Sequence, residues 1–435
     1  MRLGAAWSGL GGAHSILPEM PARYKVLGLM FALTLITYLD RVCIGATATV
    51  MSAELGLSKV QMGEVFSAFV LGYVLFEIPG GWLADRFGAR ALLTRIVIWW
   101  SAFTAITGLA WNYTSLIVVR FLFGCGEAGA FPGSASAISR WFSFSERGRA
   151  QAVIMVGSRL GGALAPPLVI ALMSIMGWRG VYWVFAGFGL VWAMFWTSWY
   201  RNSPEEHPSV DAEELAFIQK GRAAVTHSRK VPWALLIRSR NVWALCAMYS
   251  GYAYGLYFYL TWLPTYLEEG RGVTLSHVGY YAMLPLLAGA ACNFLGGWLT
   301  DYLSRRMRLR WARRIPSMSS LLVASVLISV AAIAENNTIA ITSLVLSFGA
   351  SDLILAVCWA TCLDIGREHA GTVSGAMNSL GQIGGVIAPV TFGWLVETYG
   401  SWRIPLLTAG VYYAVSALFW LAIDPEKPLQ QHSSA

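Results

Sequence analysis

The sequence predicts an all-α membrane protein with twelve transmembrane helices in two pseudo-symmetric six-helix bundles. Three observations carry that expectation. Hydrophobic residues fill 56% of the 435 positions and charged residues 12%, with a mean hydropathy of +0.56, whereas soluble domains carry about 25% charged residues. Apolar stretches of about twenty residues, each able to cross roughly 30 Å of hydrocarbon at 1.5 Å per helical residue, recur from end to end. The segment "GGWLAD" at 80–85 returns as "GGWLTD" at 296–301, 216 residues later.

Helices are the expected element because a lipid-exposed backbone must satisfy its own N–H and C=O groups. Residues 1–23 open with "MRLGAAWSGLGGAHSILPEM", which lacks the apolar core of a signal peptide. This stretch is expected to be a disordered extension, with Met20 as an alternative start. A first bundle, 24–200, holds spans at 24–48, 60–83, 91–110, 113–139, 149–175 and 180–200. The polar connection 201–240 follows, and its "DAEELAFIQKGR" opens acidic and closes basic, as a short surface helix should. A second bundle, 241–423, holds spans at 241–267, 275–299, 314–334, 338–362, 372–397 and 402–423, before a tail at 424–435.

The net charge of +8 is scattered over short connections, which speaks for membrane topology and against a nucleic-acid partner. With the N-terminus placed in the cytoplasm, 24 basic residues fall inside and only Lys59, Arg179, Arg271 and Arg403 fall outside. Both termini are therefore expected on the cytoplasmic side. An excess of arginine over lysine, 26 to 5, fits a GC-rich bacterial genome, and the expected location is the bacterial inner membrane. All six cysteines lie in apolar segments, so neither a disulfide framework nor a metal site is expected.

The repeat has a place in this layout. "GGWLAD" ends the second span and "GGWLTD" the eighth, and "GWR" at 177–179 before the sixth span answers "SWR" at 401–403 before the twelfth. Two halves related by an axis along the membrane normal are the repeat logic of alternating-access carriers. Within the spans lie Asp40 and Arg41, Arg120 and Glu127, Arg159, and Asp352. Each costs roughly 2.5–3.5 kcal/mol at a helix centre, so partners or a function are required. Arg120 and Glu127, two helical turns apart, share one face about 10 Å apart along the axis. Arg159 and Asp352 either line the central cavity or pair with each other across the halves.

"GGWLADRFGAR" resembles the signature of the major facilitator superfamily, carried here by Gly81, Asp85, Arg86, Gly88 and Arg90, with Ala91 where a second basic residue is usual. Gly81 suits close helix approach and Gly88 a tight turn. By resemblance the motif is a conformational latch on the cytoplasmic face. Asp301 is its echo in the second half, without the glycine turn. "YLDRVCIGATA", "RFLFGCGEAGAFPG" and "YFYLTWLPTYL" resemble the anion:cation symporter branch, which includes bacterial proton symporters for galactonate, glucarate and hexuronates. That resemblance implies proton coupling at Asp40 and Glu127 and anion binding at Arg41 and Tyr73, with Arg120 in the same cluster. It also implies a hydroxyl contact from Asn378 in "GAMNSLGQIGG". Tyr254, on the aromatic seventh span, is a further candidate contact.

The expected function is import of a small organic anion, a sugar acid, by proton symport in a monomer. The proton is the coupling ion and no cofactor is expected. A sodium-coupled or facilitative carrier, and a non-transporting nutrient sensor, are the alternatives. No phosphate loop, zinc pair or serine–histidine–acid set is seen in the polar segments, so no enzyme is expected.

Overall fold

A computed structural model describes residues 20–143, 145–220 and 233–429. The expected extension before residue 20, the half of the tail beyond residue 429 and part of the central connection lie outside these. The helices of the first half are α1 (Ala22–Leu55), α2 (Lys59–Ala84), α3 (Arg86–Thr107) and α4 (Tyr113–Trp141). Then comes the helical run Arg147–Trp199, divided at Gly177 into α5 (147–176) and α6 (178–199). In the second half α7 (Arg240–Tyr257) is prolonged by π-helical turns at Phe258–Trp262 and Tyr266–Gly270. It is followed by α8 (Leu275–Ser304), α9 (Leu309–Ile333), α10 (Asn337–Gly366), α11 (Ala370–Tyr399) and α12 (Arg403–Phe419).

Two boundaries differ from the sequence expectation for a local reason. α1 already begins at Ala22, inside the expected extension, because Glu214 reaches back to it. That carboxylate accepts the N–H groups of Ala22 and Arg23 at 3.0 Å each and pairs with the Arg23 side chain at 3.1 Å. An anion at a helix N-terminus satisfies orphan donors and complements the macrodipole. Glu214 sits on the surface helix Ala212–Gln219, capped by Asp211, so the central connection is docked on the first bundle. At its other end α1 runs on to Leu55 and is stopped by Gly56 at φ 65°.

The two halves repeat one another in detail. Asn112 caps α4 and Asn336 caps α10. Trp178 sits at the end of α1, donating to Glu54 at 2.6 Å, and Trp402 packs at the end of α7 against Trp262 and Tyr266. A Cβ on Gly80 would lie 2.8 Å from the Cα of Gly129 in α4, and one on Gly296 would collide with the carbonyl of Leu353 in α10. The first glycine of each "GGWL" thus lets α2 and α8 close on their neighbours. Gly81, expected in that role, meets only Pro132, at 3.9 Å. Gly88 is the break between α2 and α3, at φ 76°, where only glycine is unstrained. The Asp85 side chain lies outside the described residues.

The face with residue 20, the central connection and residue 429 is called here the terminal face. Joins between the halves gather toward the opposite face. There a Cβ on Gly45 of α1 would stand 2.8 Å from the carbonyls of Leu260 and Thr261, and one on Gly279 of α8 would stand 2.8 Å from the Cα of Pro167 in α5. Ser67 of α2 donates to the carbonyl of Val386 in α11 at 2.6 Å, and Lys59 pairs with Glu269.

Candidate functional site

In α4, α10 and α11 the helical hydrogen-bond ladder loosens locally near mid-membrane, at Ala128–Gly129, Leu353 and Gln382, while the backbone stays right-handed helical. Glu127 and Asp352 each lie near the middle of the fourth helix of a half; with Asn112 matched to Asn336 and Gly129 to Leu353, Asp352 falls one residue past the counterpart of Glu127.

α1 and α4 bring four expected residues together. Arg41 donates through Nε to Oε1 of Glu127 at 3.0 Å and pairs with the same oxygen through Nη2. Its guanidinium lies 4.9 Å from the ring centres of Tyr38 and Tyr73 and 5.2 Å from that of Phe69. Planar cations stack on aromatic faces in this way. Oε2 of Glu127 is buried with no hydrogen-bond partner, and both oxygens of Asp40 are in the same condition. Arg120, also buried, packs 4.5 Å from Phe123 and 5.1 Å from Phe69, with Nε unpartnered. A gap of about 10 Å³ lies between Arg41, Arg120, Phe66, Phe69, Tyr257 and Leu260. That is room for about one water.

Arg159 and Asp352 pair across the halves, one of the two arrangements left open by the sequence. Nη2 of Arg159 donates to Oδ1 of Asp352 at 2.7 Å, and the hydroxyl of Tyr252 on α7 donates to the same oxygen at 2.6 Å. Oδ2 of Asp352 is buried and unpartnered. Asn378 donates to Oε1 of Glu77 on α2 at 2.5 Å, while the hydroxyl of Ser379 reaches Oε2 at 3.3 Å. This is a second tie between the halves.

Tyr254 is the expected contact that does not reach the site. Its ring stacks on Tyr412 at 4.0 Å and its hydroxyl lies 3.4 Å from Thr408, so it packs into its own half. Tyrosines 249 and 252 occupy the other side of α7, because 254 falls about 140° around the helix from 249 and about 160° from 252. Tyr252 takes the place expected for Tyr254. Glu77 was missed although it is an acid inside the second span, three residues before "GGWLAD". Phe69, which packs on Arg41, gave no sequence signal beyond being aromatic, and Tyr38 only its place at the head of "YLDRVCIGATA". The residues expected to form the latch, so far as their side chains are described, lie apart from this site on the terminal face. Arg90 donates its N–H to Asn202 at 2.9 Å and its side chain to the Thr197 carbonyl at 2.6 Å. Arg86 and Asp301 are exposed there.

A cleft of about 640 Å³ at the opposite face, lined by Lys59, Glu269, Arg271, Glu335, Trp402 and Arg403, contains none of the buried charges. The chemistry sits deeper, between the bundles.

Two repeat-related helical bundles with arginine–carboxylate pairs buried at and beside their interface define a membrane transporter and not an enzyme. The chain belongs to the Major Facilitator Superfamily, whose profile matches residues 30–389. It is 36% identical over 410 residues to the "Probable sulfoacetate transporter SauU" of Cupriavidus necator, covering 94% of this chain and 95% of that one. It is 32% identical over 421 residues to the "Probable galactarate/D-glucarate transporter GarP" of Escherichia coli, covering 92% and 94%. It is 30% identical over 412 residues to the "Probable L-galactonate transporter" of the same organism, covering 92% and 90%. A solved bacterial homolog of the human lysosomal transporter Spinster, in an inward-facing and unoccupied conformation, shares the fold. Its TM-score is 0.78 at 20% identity, over 93% of this chain and 98% of that one.

Proposed function

We propose that this protein imports a small organic anion by proton symport and alternating access, as a monomer in a bacterial inner membrane with both termini in the cytoplasm. The observation that carries the reading is the buried Arg41–Glu127 pair. Arg41 offers a planar fork to an acidic group. A substrate that takes that fork leaves Glu127 as a buried carboxylate without its cation, and such a group is held at far lower cost with a proton on it. Anion and proton then travel together. Asp40, with neither oxygen partnered, is the second proton carrier, and Arg120 keeps the cluster attractive to anions.

Tyr73 and Asn378 complete the contacts, with Arg159 and Asp352 at the far side. Gly81, Asp85, Arg86, Gly88, Arg90 and Asp301 form the terminal-face latch. The distribution of arginines supports a cytoplasmic terminal face. Joins gathered on the opposite face support a resting state that opens inward. The named relatives are each described as a probable transporter of an organic acid, which supports a sugar acid or a sulfonated acid as substrate.

The test is uptake into proteoliposomes under an imposed inward proton gradient, with galactonate, glucarate, a hexuronate and sulfoacetate as labelled probes. Accumulation of at least one, abolished by a protonophore, is expected. Gradient-independent equilibration of every probe would rule out symport.

A further inference from the structure

We propose that the site is built for a dianion, a short organic acid with an acidic group at each end, and that Arg159 binds the second group. The inference rests on the organic-anion reading above and narrows its substrate class.

Arg41 and Arg159 are held alike. Each belongs to the first half, and each is paired with an acid near the middle of the fourth helix of a half, Glu127 in α4 and Asp352 in α10. In both pairs one carboxylate oxygen makes every contact and the other is buried with no partner. A pair built only for rigidity would be expected to satisfy its remaining lone pairs. A pair that a ligand opens has no such need.

One residue also stands between Arg41 and the helix that carries Arg159. Tyr38 lies under the Arg41 guanidinium at 4.9 Å, and its ring is 3.4 Å from where a Cβ on Gly162 would sit, one helical turn from Arg159 on α5. A short molecule lying along Tyr38 can therefore present one acid to each fork.

The consequence is selective unlocking. Arg41–Glu127 lies within the first half, whereas Arg159–Asp352 ties the halves together. A monoanion on Arg41 leaves that tie closed. A dianion takes both arginines, both in the first half, and frees Asp352 from the other half. Asp352 then accepts a proton on its free oxygen from the entering solution, since a buried carboxylate that has lost its cation is costly. With a dianion the second proton is thus carried on Asp352 instead of Asp40: two negative charges enter and two carboxylates, Glu127 and Asp352, are neutralised, so the charge of the site is conserved.

The experiment uses the full chain in proteoliposomes under a proton gradient. D-glucarate and sulfoacetate serve as dianions and L-galactonate as a monoanion. Wild type is expected to accumulate the dianions at least about tenfold faster, the usual worth of one charge-assisted contact. The double variant Arg159→Gln/Asp352→Asn, which strands no charge, is expected to bring the dianion and monoanion rates within about twofold of each other. Equal wild-type rates, or a preference that survives in the double variant, would overturn the proposal. Accumulation of none of the three would instead sink the organic-anion reading. Should the double variant fail to fold, Arg159→Lys is expected to raise KM for dianions alone, and an unchanged KM overturns the proposal.

Discussion

Arg41 on α1 and Glu127 on α4 share a single carboxylate oxygen, with both Nε and Nη2 of the arginine directed at Oε1 while Oε2 stays empty. Glu127→Gln keeps the shape and an acceptor for Arg41 but cannot carry a proton. Gradient-driven accumulation is expected to fall to the equilibrium level while counterflow exchange of preloaded substrate continues. Accumulation at the wild-type level would remove Glu127 from the coupling.

Arg41→Lys keeps the charge and loses the fork. The guanidinium is packed among Tyr38, Phe69 and Tyr73 at 4.9–5.2 Å, and a lysine ammonium can neither stack there as a plane nor give two parallel bonds to an acid. Substrate affinity, read from tryptophan fluorescence in detergent, should weaken by about tenfold or more. An unchanged affinity would take Arg41 out of the binding site.

Glu77 ties α2 to α11 through Asn378 and Ser379 on the terminal side of Tyr73. Glu77→Ala should loosen that tie. Gly371 on α11 has nothing within 4 Å of its added Cβ, so Gly371→Cys, in a background with the six native cysteines replaced, reports access from the terminal face. Labelling by a membrane-impermeant maleimide is expected to quicken severalfold in the Glu77→Ala background. An unchanged rate would mean that the tie does not restrain the halves.

The fold was legible because lipid imposes it. A backbone in hydrocarbon must be helical, spans must be about twenty residues long, and a duplicated "GGWL" marks equivalent helix contacts. Charged residues in spans were legible for the same energetic reason, which is why Asp40, Arg41, Arg120 and Glu127 stood out. Partner choice was not legible. Whether Arg159 meets Asp352 or open space depends on how two bundles 193 residues apart in the chain are set against each other. Tyr254 illustrates the same limit on one helix, since five tyrosines fall between 249 and 259 and only helical phase decides which face the first half. Glu77 was within reach of the charge argument and was overlooked because it borders a recognisable motif.

His207 in the central connection gives a pH dependence outside the membrane. Burial, reinforced by nearby Arg201 and Lys25, holds its pKa below the usual histidine value. The neutral ring shares a proton with the Trp199 carbonyl through Nε2 at 3.1 Å and accepts the Ser209 N–H on Nδ1 at 3.1 Å. A group whose folded pKa is lowered gives stability that is complete above its unfolded value, about 6.5, and lost as pH falls through the folded value. Melting in detergent should therefore drop between about pH 7.5 and pH 5.5, and the drop should be smaller in His207→Gln. An equal drop in both proteins would show that His207 does not contribute.

The paired glycines give a test of the repeat itself. A Cβ at Gly80 or Gly296 runs into the backbone of Gly129 or Leu353, whereas at Gly81 and Gly297 the nearest atoms are side chains at 3.9 and 3.6 Å. Gly80→Ala and Gly296→Ala should each force α2 from α4, or α8 from α10, at a cost of about 1–3 kcal/mol, visible as a lower melting temperature. Gly81→Ala and Gly297→Ala should melt within a degree or two of wild type, or slightly higher, because alanine is the better helix former. The same order in both halves is the outcome that the duplication requires. If the second glycine proved the sensitive one in either half, the equivalence drawn between Gly80 and Gly296 would be lost.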